Sequence, residues 1–181
     1  MMTTQKKLTK NTLTTVRGNT MAESTTWGIP HFIKIPEAFS ALADHRYEYS
    51  DKYFRVYSSN RTRVYSVSVF YDGYASNDNM SINKKILGYP IVLHLMLNQR
   101  ISFDVSIANL FRNINWTELN LLCKKDFTAS YNAILQRFSE QGLNSNLINT
   151  EVQSAYNQLC ALIPTIKNYK SDLSFEDSLI K

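Results

Sequence analysis

Glycine, proline and cysteine are all scarce in this 181-residue chain, which holds five, four and two of them. So few glycines argue against a phosphate cradle of backbone N–H groups, and no GxxxxGK[ST], GxGxxG or GxSxG pattern occurs. Turns are left to Asn, Asp and Ser. Pro30, Pro36, Pro90 and Pro164 are isolated, so there is no PPxY or PTAP recruitment motif. Cys123 and Cys160 make neither a disulfide framework nor a metal spacing, and CxxC and HExxH are absent. Both cysteines fall in apolar helical patterns and read as reduced, buried, small apolar residues, which suits a cytosolic protein. The longest apolar run, Pro90–Leu97, is broken by His94 and is far short of a membrane span. The Thr-rich stretch after Lys6, Lys7 and Lys10 lacks the apolar segment of a signal peptide. Any membrane contact is expected to be peripheral. No cofactor and no metal is expected.

What the chain does have is apolar and aromatic surface. It is 44% hydrophobic and 12% aromatic, with eleven Tyr and nine Phe, enough for the core of one domain. Charge is uneven along it. Residues 1–26 carry four bases (Lys6, Lys7, Lys10, Arg17) against Glu23 alone, nine threonines and no aromatic residue. Such a segment buries too little apolar surface to offset its ordering entropy and reads as a disordered basic arm. Residues 103–181 carry seven bases and eight acids, so the positive end is the N-terminal one. A basic arm on a near-neutral body suits adhesion to an acidic surface.

Trp27 ends the arm, and residues 27–164 read as a single globular domain. Glu37–Ala43 allows a turn or two of helix. Tyr47–Tyr57 and Arg63–Tyr71 alternate with period two, and Tyr65, Val67, Val69 and Tyr71 line one face of the second. Ser58-Ser59-Asn60 between them predicts a hairpin. Asp72–Lys85 reads as a long exposed loop and Ile91–Leu97 as a buried strand. The period then changes. Apolar residues at helical spacing predict helices over Phe103–Ile114, Phe127–Phe138 and Val152–Ile163. Ser102 or Asp104 is expected to cap the first, Gly142 to end the second and Pro164 the third, and Thr150 with Gln153 resembles a capping box. Residues 165–181 read as a flexible tail. The fold class expected is α+β: a small antiparallel sheet with about three amphipathic helices packed on it.

Candidate functional residues fall into three groups. Lys6, Lys7, Lys10 and Arg17 lie on the arm. Leu121, Leu122, Lys124 and Lys125 form an apolar knuckle beside two lysines between helices, the pairing that a peripheral membrane contact uses. Arg55, Arg61 and Arg63 surround the hairpin among tyrosines, a composition that binds RNA by stacking and phosphate contact. Glu37, Asp44, Glu48 and Asp51 read as solvated charges. A Cys123–His94 nucleophile pair lacks any supporting motif.

The order within Ile91–Gly142 resembles the central segment of rhabdovirus matrix proteins, the plant-infecting, cytorhabdovirus-like type in particular. It runs from a strand (Ile91–Leu97) through a basic turn (Asn98-Gln99-Arg100) to a helix from Phe103-Asp104-Val105 toward Trp116. The spacer Lys124-Lys125 and an aromatic-aliphatic helix (Phe127, Tyr131, Ile134, Leu135, Phe138) follow. The proline-rich late motif of the animal-virus members is absent. The resemblance implies a non-enzymatic structural protein that self-associates, condenses a viral nucleocapsid and links it to an anionic membrane during assembly. A viral glycoprotein tail would be a further partner. It places the protein in the virion and the host cytoplasm, peripheral to the membrane. The alternative reading is a viral RNA-binding accessory protein, a silencing suppressor or movement protein, working through Arg55, Arg61 and Arg63.

Overall fold

The computed structural model describes residues 25–180, and a single hydrophobic cluster runs through its sheet and its helices. The chain is a mixed α and β fold. Strand β1 (Thr25–Thr26) is followed by α1 (Lys34–Ala43), β2 (Tyr47–Tyr49), β3 (Phe54–Tyr57), β4 (Val64–Phe70) and β5 (Gly73–Ser76). Helices α2 (Asn79–Lys84), α3 (Tyr89–Leu97), α4 (Val105–Leu110), α5 (Trp116–Leu122), α6 (Phe127–Glu140) and α7 (Ser145–Leu162) come next, and β6 (Lys167–Asn168) closes the sheet. The strand order is β1-β6-β5-β4-β3-β2. All pairs are antiparallel except β5–β6, so the antiparallel sheet expected from sequence carries one parallel pair.

Phe54, Val56 and Val67 face inward, and α3 lies on β3, β4 and β5 over them. Helix α1 packs on α3, and α4 and α7 pack on α1. Because α3 is sandwiched between sheet and helices, every residue from Pro90 to Met96 is buried. That explains the first correction. Ile91–Leu97 is a helix, not a strand, because a short run that is apolar on every side has no period from which to tell the two apart. Gly88 before the helix and Pro90 in its first turn are the start signal.

Three further expectations change. The strand read over Tyr47–Tyr57 is two strands, β2 and β3, joined by a turn in which Ser50 Oγ donates to the Tyr53 carbonyl at 2.9 Å. The loop read over Asp72–Lys85 is β5 plus α2, with all of β5 buried. The tail runs back along β4, from Tyr169 with its ring tilted against Phe70 (centroids 4.4 Å apart) to Leu179 bridged to Arg63, and contributes β6. The β5–β6 approach is tight at Gly73, where an added Cβ would overlap the Lys167 carbonyl.

Helix starts follow side-chain chemistry. Asp78, Asp104, Asn115, Asp126 and Asn144 each accept a bond from a first-turn N–H, capping α2, α4, α5, α6 and α7. Asp104 is thus the cap at the first predicted helix, which is only six residues long. The Thr150–Gln153 box does not form, since Thr150 lies inside α7 and donates back to the Asn146 carbonyl at 2.9 Å. Gly142 follows α6 at φ 77°, and α7 gives way at Ile163 to a 3₁₀ turn containing Pro164.

The scarcity of glycine shows in the backbone. His45, Arg61, Lys85, Gln99, Asn113, Lys124 and Lys125 all take positive φ, each a conformation that costs a non-glycine residue about 1–2 kcal/mol. Gln99 is exposed at φ 56°. Gln99→Gly is expected to raise stability by about 0.5–1 kcal/mol, after allowing for the freer unfolded chain, measured as a higher urea midpoint.

Candidate functional site

Helix α5 starts on Asn115, whose side chain accepts from Glu118 N–H, and ends at Cys123. The next two residues, Lys124 (φ 52°) and Lys125 (φ 64°), are left-handed and turn the chain into α6. Lys124 N–H donates to the Leu121 carbonyl (2.9 Å) and Lys125 N–H to the Asn120 carbonyl (2.7 Å), which fixes the knuckle. Leu121 and Leu122 stand out from it at 63% and 72% exposure, next to two exposed lysines. They are not core residues. Cys123 and Cys160 are half-buried, less enclosed than the sequence pattern suggests.

The knuckle is fastened at both ends to one buried ion pair. On α1, Lys34 Nζ lies 2.6 Å from Glu37 Oε2, with the two residues only 7% and 5% exposed. Asn120, just before the knuckle, donates from Nδ2 to Glu37 Oε1 (3.3 Å). Phe127, just after it, receives Lys34 Nζ at 5.4 Å from its ring centre. Glu37 is therefore not the solvated charge expected from sequence. Asp44 is also bound rather than solvated, accepting from Arg46 Nε (3.1 Å) and Asn113 N–H (2.8 Å).

The hairpin arginines have separate partners. Arg63 is committed to the returning tail, donating to Ser178 Oγ (2.8 Å) and lying 4.1 Å over the Phe175 ring. Arg55 pairs with Glu48 at 3.5 Å. Arg61 lines a separate groove with His45 and Arg112. Lys6, Lys7, Lys10 and Arg17 lie outside the described residues. His94 is buried in α3, with Nδ1 at 3.2 Å from the Tyr74 hydroxyl and Asn98 against its ring, and burial lowers its pKa. Among the described residues no cluster of His, Cys, Asp or Glu could hold a metal, and no helix is long and apolar enough to cross a membrane.

An open pocket of about 160 Å³ lies where α1, α5, β4 and the starts of α2 and α3 meet. Lys34, Glu37, Tyr65, Tyr89, Trp116 and Asn120 are among its walls. The rings of Tyr65 and Tyr89 meet edge to face at 6.0 Å. Burial pushes the Tyr65 phenol up to about 12 and the Tyr89 phenol well above its usual value, so both stay protonated. Tyr89 Oη donates to the Tyr57 carbonyl at 3.2 Å.

The family described as "Uncharacterised conserved protein UCP014422" matches residues 27–164. The chain belongs to this family. The match starts just after β1 and stops just before β6, the two short strands that pair with each other. No curated protein and no solved structure matches the chain. The strand that opens the matrix-like pattern is α3, and the helix expected from Phe103 toward Trp116 is two, α4 ending at Leu110 and α5 starting at Trp116.

Sequence reasoning reached the knuckle because its residues are consecutive. It missed the pocket because Lys34, Tyr65 and Trp116 come from three distant segments. Only the i, i+3 spacing of Lys34 and Glu37 on a mostly apolar helix hinted that a charge pair is buried there.

Proposed function

We propose that the chain is a non-enzymatic structural protein that adheres peripherally to an anionic membrane surface and acts by self-association, as a matrix layer does. The exposure of Leu121 and Leu122 beside Lys124 and Lys125 carries this reading. Two half-free leucines can bury further apolar area worth roughly 2–3 kcal/mol, and each lysine adds about 1 kcal/mol near anionic lipid. That makes one copy a weak binder. Many copies on one surface bind strongly by multivalency, and Lys6, Lys7, Lys10 and Arg17 of the arm add to the charge. The partners on this reading are other copies of the chain, an anionic lipid leaflet and a nucleocapsid.

Co-sedimentation with vesicles containing phosphatidylserine tests it, with free RNA as a parallel arm. The intact chain is expected to pellet with vesicles and to release in high salt. Leu121→Asp with Leu122→Asp is expected to cut binding at least tenfold while leaving the thermal melt within a degree or two, because both side chains point to solvent. Removal of residues 1–26 is expected to weaken binding less than the leucine pair does. Tight RNA binding by the chain without its arm, together with no vesicle binding, would sink the proposal in favour of an RNA-binding accessory protein.

A further inference from the structure

The groove that Arg61 shares with His45 and Arg112 has a volume of about 420 Å³, and its positive charge is only partly balanced. Asp44 is the one carboxylate in its walls. Both of its oxygens are taken, Oδ2 by Arg46 Nε (3.1 Å) and Oδ1 by Asn113 N–H (2.8 Å). The Arg46–Asp44 pair cancels and leaves the guanidiniums of Arg61 and Arg112. Arg112 is oriented by its Nε, which donates to the Ala43 carbonyl at 3.1 Å. Among the described residues its two Nη atoms, the Arg61 guanidinium and the His45 ring have no hydrogen-bond or ion-pair partner, and all three residues are exposed. We propose that this groove binds the phosphate group of a small phosphate monoester.

The backbone points the same way. Of the seven left-handed non-glycine residues described, three line this groove: His45 (φ 50°), Arg61 (φ 57°) and Asn113 (φ 60°). Each is locked by its own N–H, His45 on the Leu42 carbonyl (3.0 Å), Arg61 on the Ser58 carbonyl (2.9 Å) and Asn113 on Asp44. Such strain collects at ligand clamps. Glycine would carry these turns without the cost, yet each position holds a side chain that can donate a hydrogen bond. Charge selects the ligand. A phosphate monoester carries roughly −1.5 to −2 at neutral pH, which matches two guanidiniums, and their forks fit its oxygens. A phosphodiester chain needs a basic track instead, and the other hairpin arginines are committed, Arg55 to Glu48 and Arg63 to the tail. The volume is within the range of small-molecule sites, so the group carrying the phosphate has room as well. Asn115 places the groove at the start of α5 and the knuckle is at its end, so the site does not rest on the membrane reading.

The test is isothermal titration of the full chain at low salt with glycerol 3-phosphate, adenosine 5′-monophosphate and phosphoserine. Inorganic phosphate, succinate and a short single-stranded RNA are the comparison ligands. At least one ester is expected to saturate the protein at millimolar concentration or below, and the one that binds tightest names the source: lipid headgroup, nucleotide or phosphorylated amino acid. Arg61→Gln and Arg112→Gln are each expected to weaken it about tenfold, with little change in the melting temperature because both residues are exposed. Arg112→Lys keeps the charge without the fork and is expected to weaken it as well. Lys124→Gln with Lys125→Gln is expected to change nothing. The proposal is overturned if no ester saturates, or if the lysine pair weakens binding as much as the arginines do. It is also overturned if inorganic phosphate, succinate or the RNA binds as tightly as the best ester.

Discussion

Arg46→Ala is expected to destabilise the protein by about 3–5 kcal/mol, seen as a large fall in the urea midpoint with little change in slope. Arg46 is 2% exposed and sits between the end of α1 and the sheet. Its guanidinium donates in three directions: Nη1 to the Tyr57 carbonyl (2.6 Å), Nε to Asp44 Oδ2 (3.1 Å) and Nη2 to Ser40 Oγ (3.0 Å). Its own backbone joins the same two elements, with its N–H on the Ala41 carbonyl and its carbonyl accepting from Tyr57 N–H. Truncation leaves the Tyr57 carbonyl with only its longer bond from Tyr89 Oη, takes a donor from Ser40 Oγ and breaks the ion pair with Asp44. Arg46→Lys retains the charge but not the fork, so it should recover less than half of the loss. A loss under 1 kcal/mol for Arg46→Ala would show that the backbone bonds alone hold α1 to the sheet.

Asp78→Ala is expected to cost roughly 2–4 kcal/mol. One carboxylate serves four donors. Oδ1 accepts from the N–H groups of Met80 and Ser81 (3.0 and 3.1 Å), and Oδ2 accepts from the hydroxyls of Ser76 and Ser81 (2.8 and 2.5 Å). Removing it uncaps α2 and leaves buried serine hydroxyls to find other partners. Asp78→Asn keeps one acceptor oxygen for the cap and is expected to lose about half as much. Gly88 explains why the carboxylate fits: a Cβ at that position would overlap it. Equal stability of Asp78→Ala and the parent in urea melts would refute the assignment of Asp78 as the organiser of this corner.

These two residues also show where the sequence could be read and where it could not. Helix α6 was legible because it is buried on one side, so burial printed a period of 3.6 onto its residues. Strand β4 was found by its alternation, but burial does not follow it: Ser66 and Val67 are both buried, while Val69 and Tyr71 are exposed. Helix α3 was not legible, because it is enclosed all round. The segment around Asp78 misled for the opposite reason. Asn77, Asp78 and Asn79 look like loop residues, yet Asn77 and Asp78 are buried and spend their polar atoms inside the fold, with Asn77 Oδ1 accepting from Ser66 N–H at 2.7 Å. Residue type alone does not say whether an amide or a carboxylate bonds to water or to backbone. The same ambiguity hid Arg46 and Glu37, whose partners lie on elements far along the chain.

The pairing of β1 with β6 bears on how the molecule responds to force. Thr25 lies opposite Asn168 in an antiparallel pair, so the chain enters β1 and leaves β6 at the same end of the ladder. Tension applied through the two chain ends would peel that pair open one bond at a time rather than shear it, so this edge offers little mechanical resistance. The contacts of the tail along β4 lie between β6 and the C-terminal end, so they take the load and release before the β1–β6 pair does.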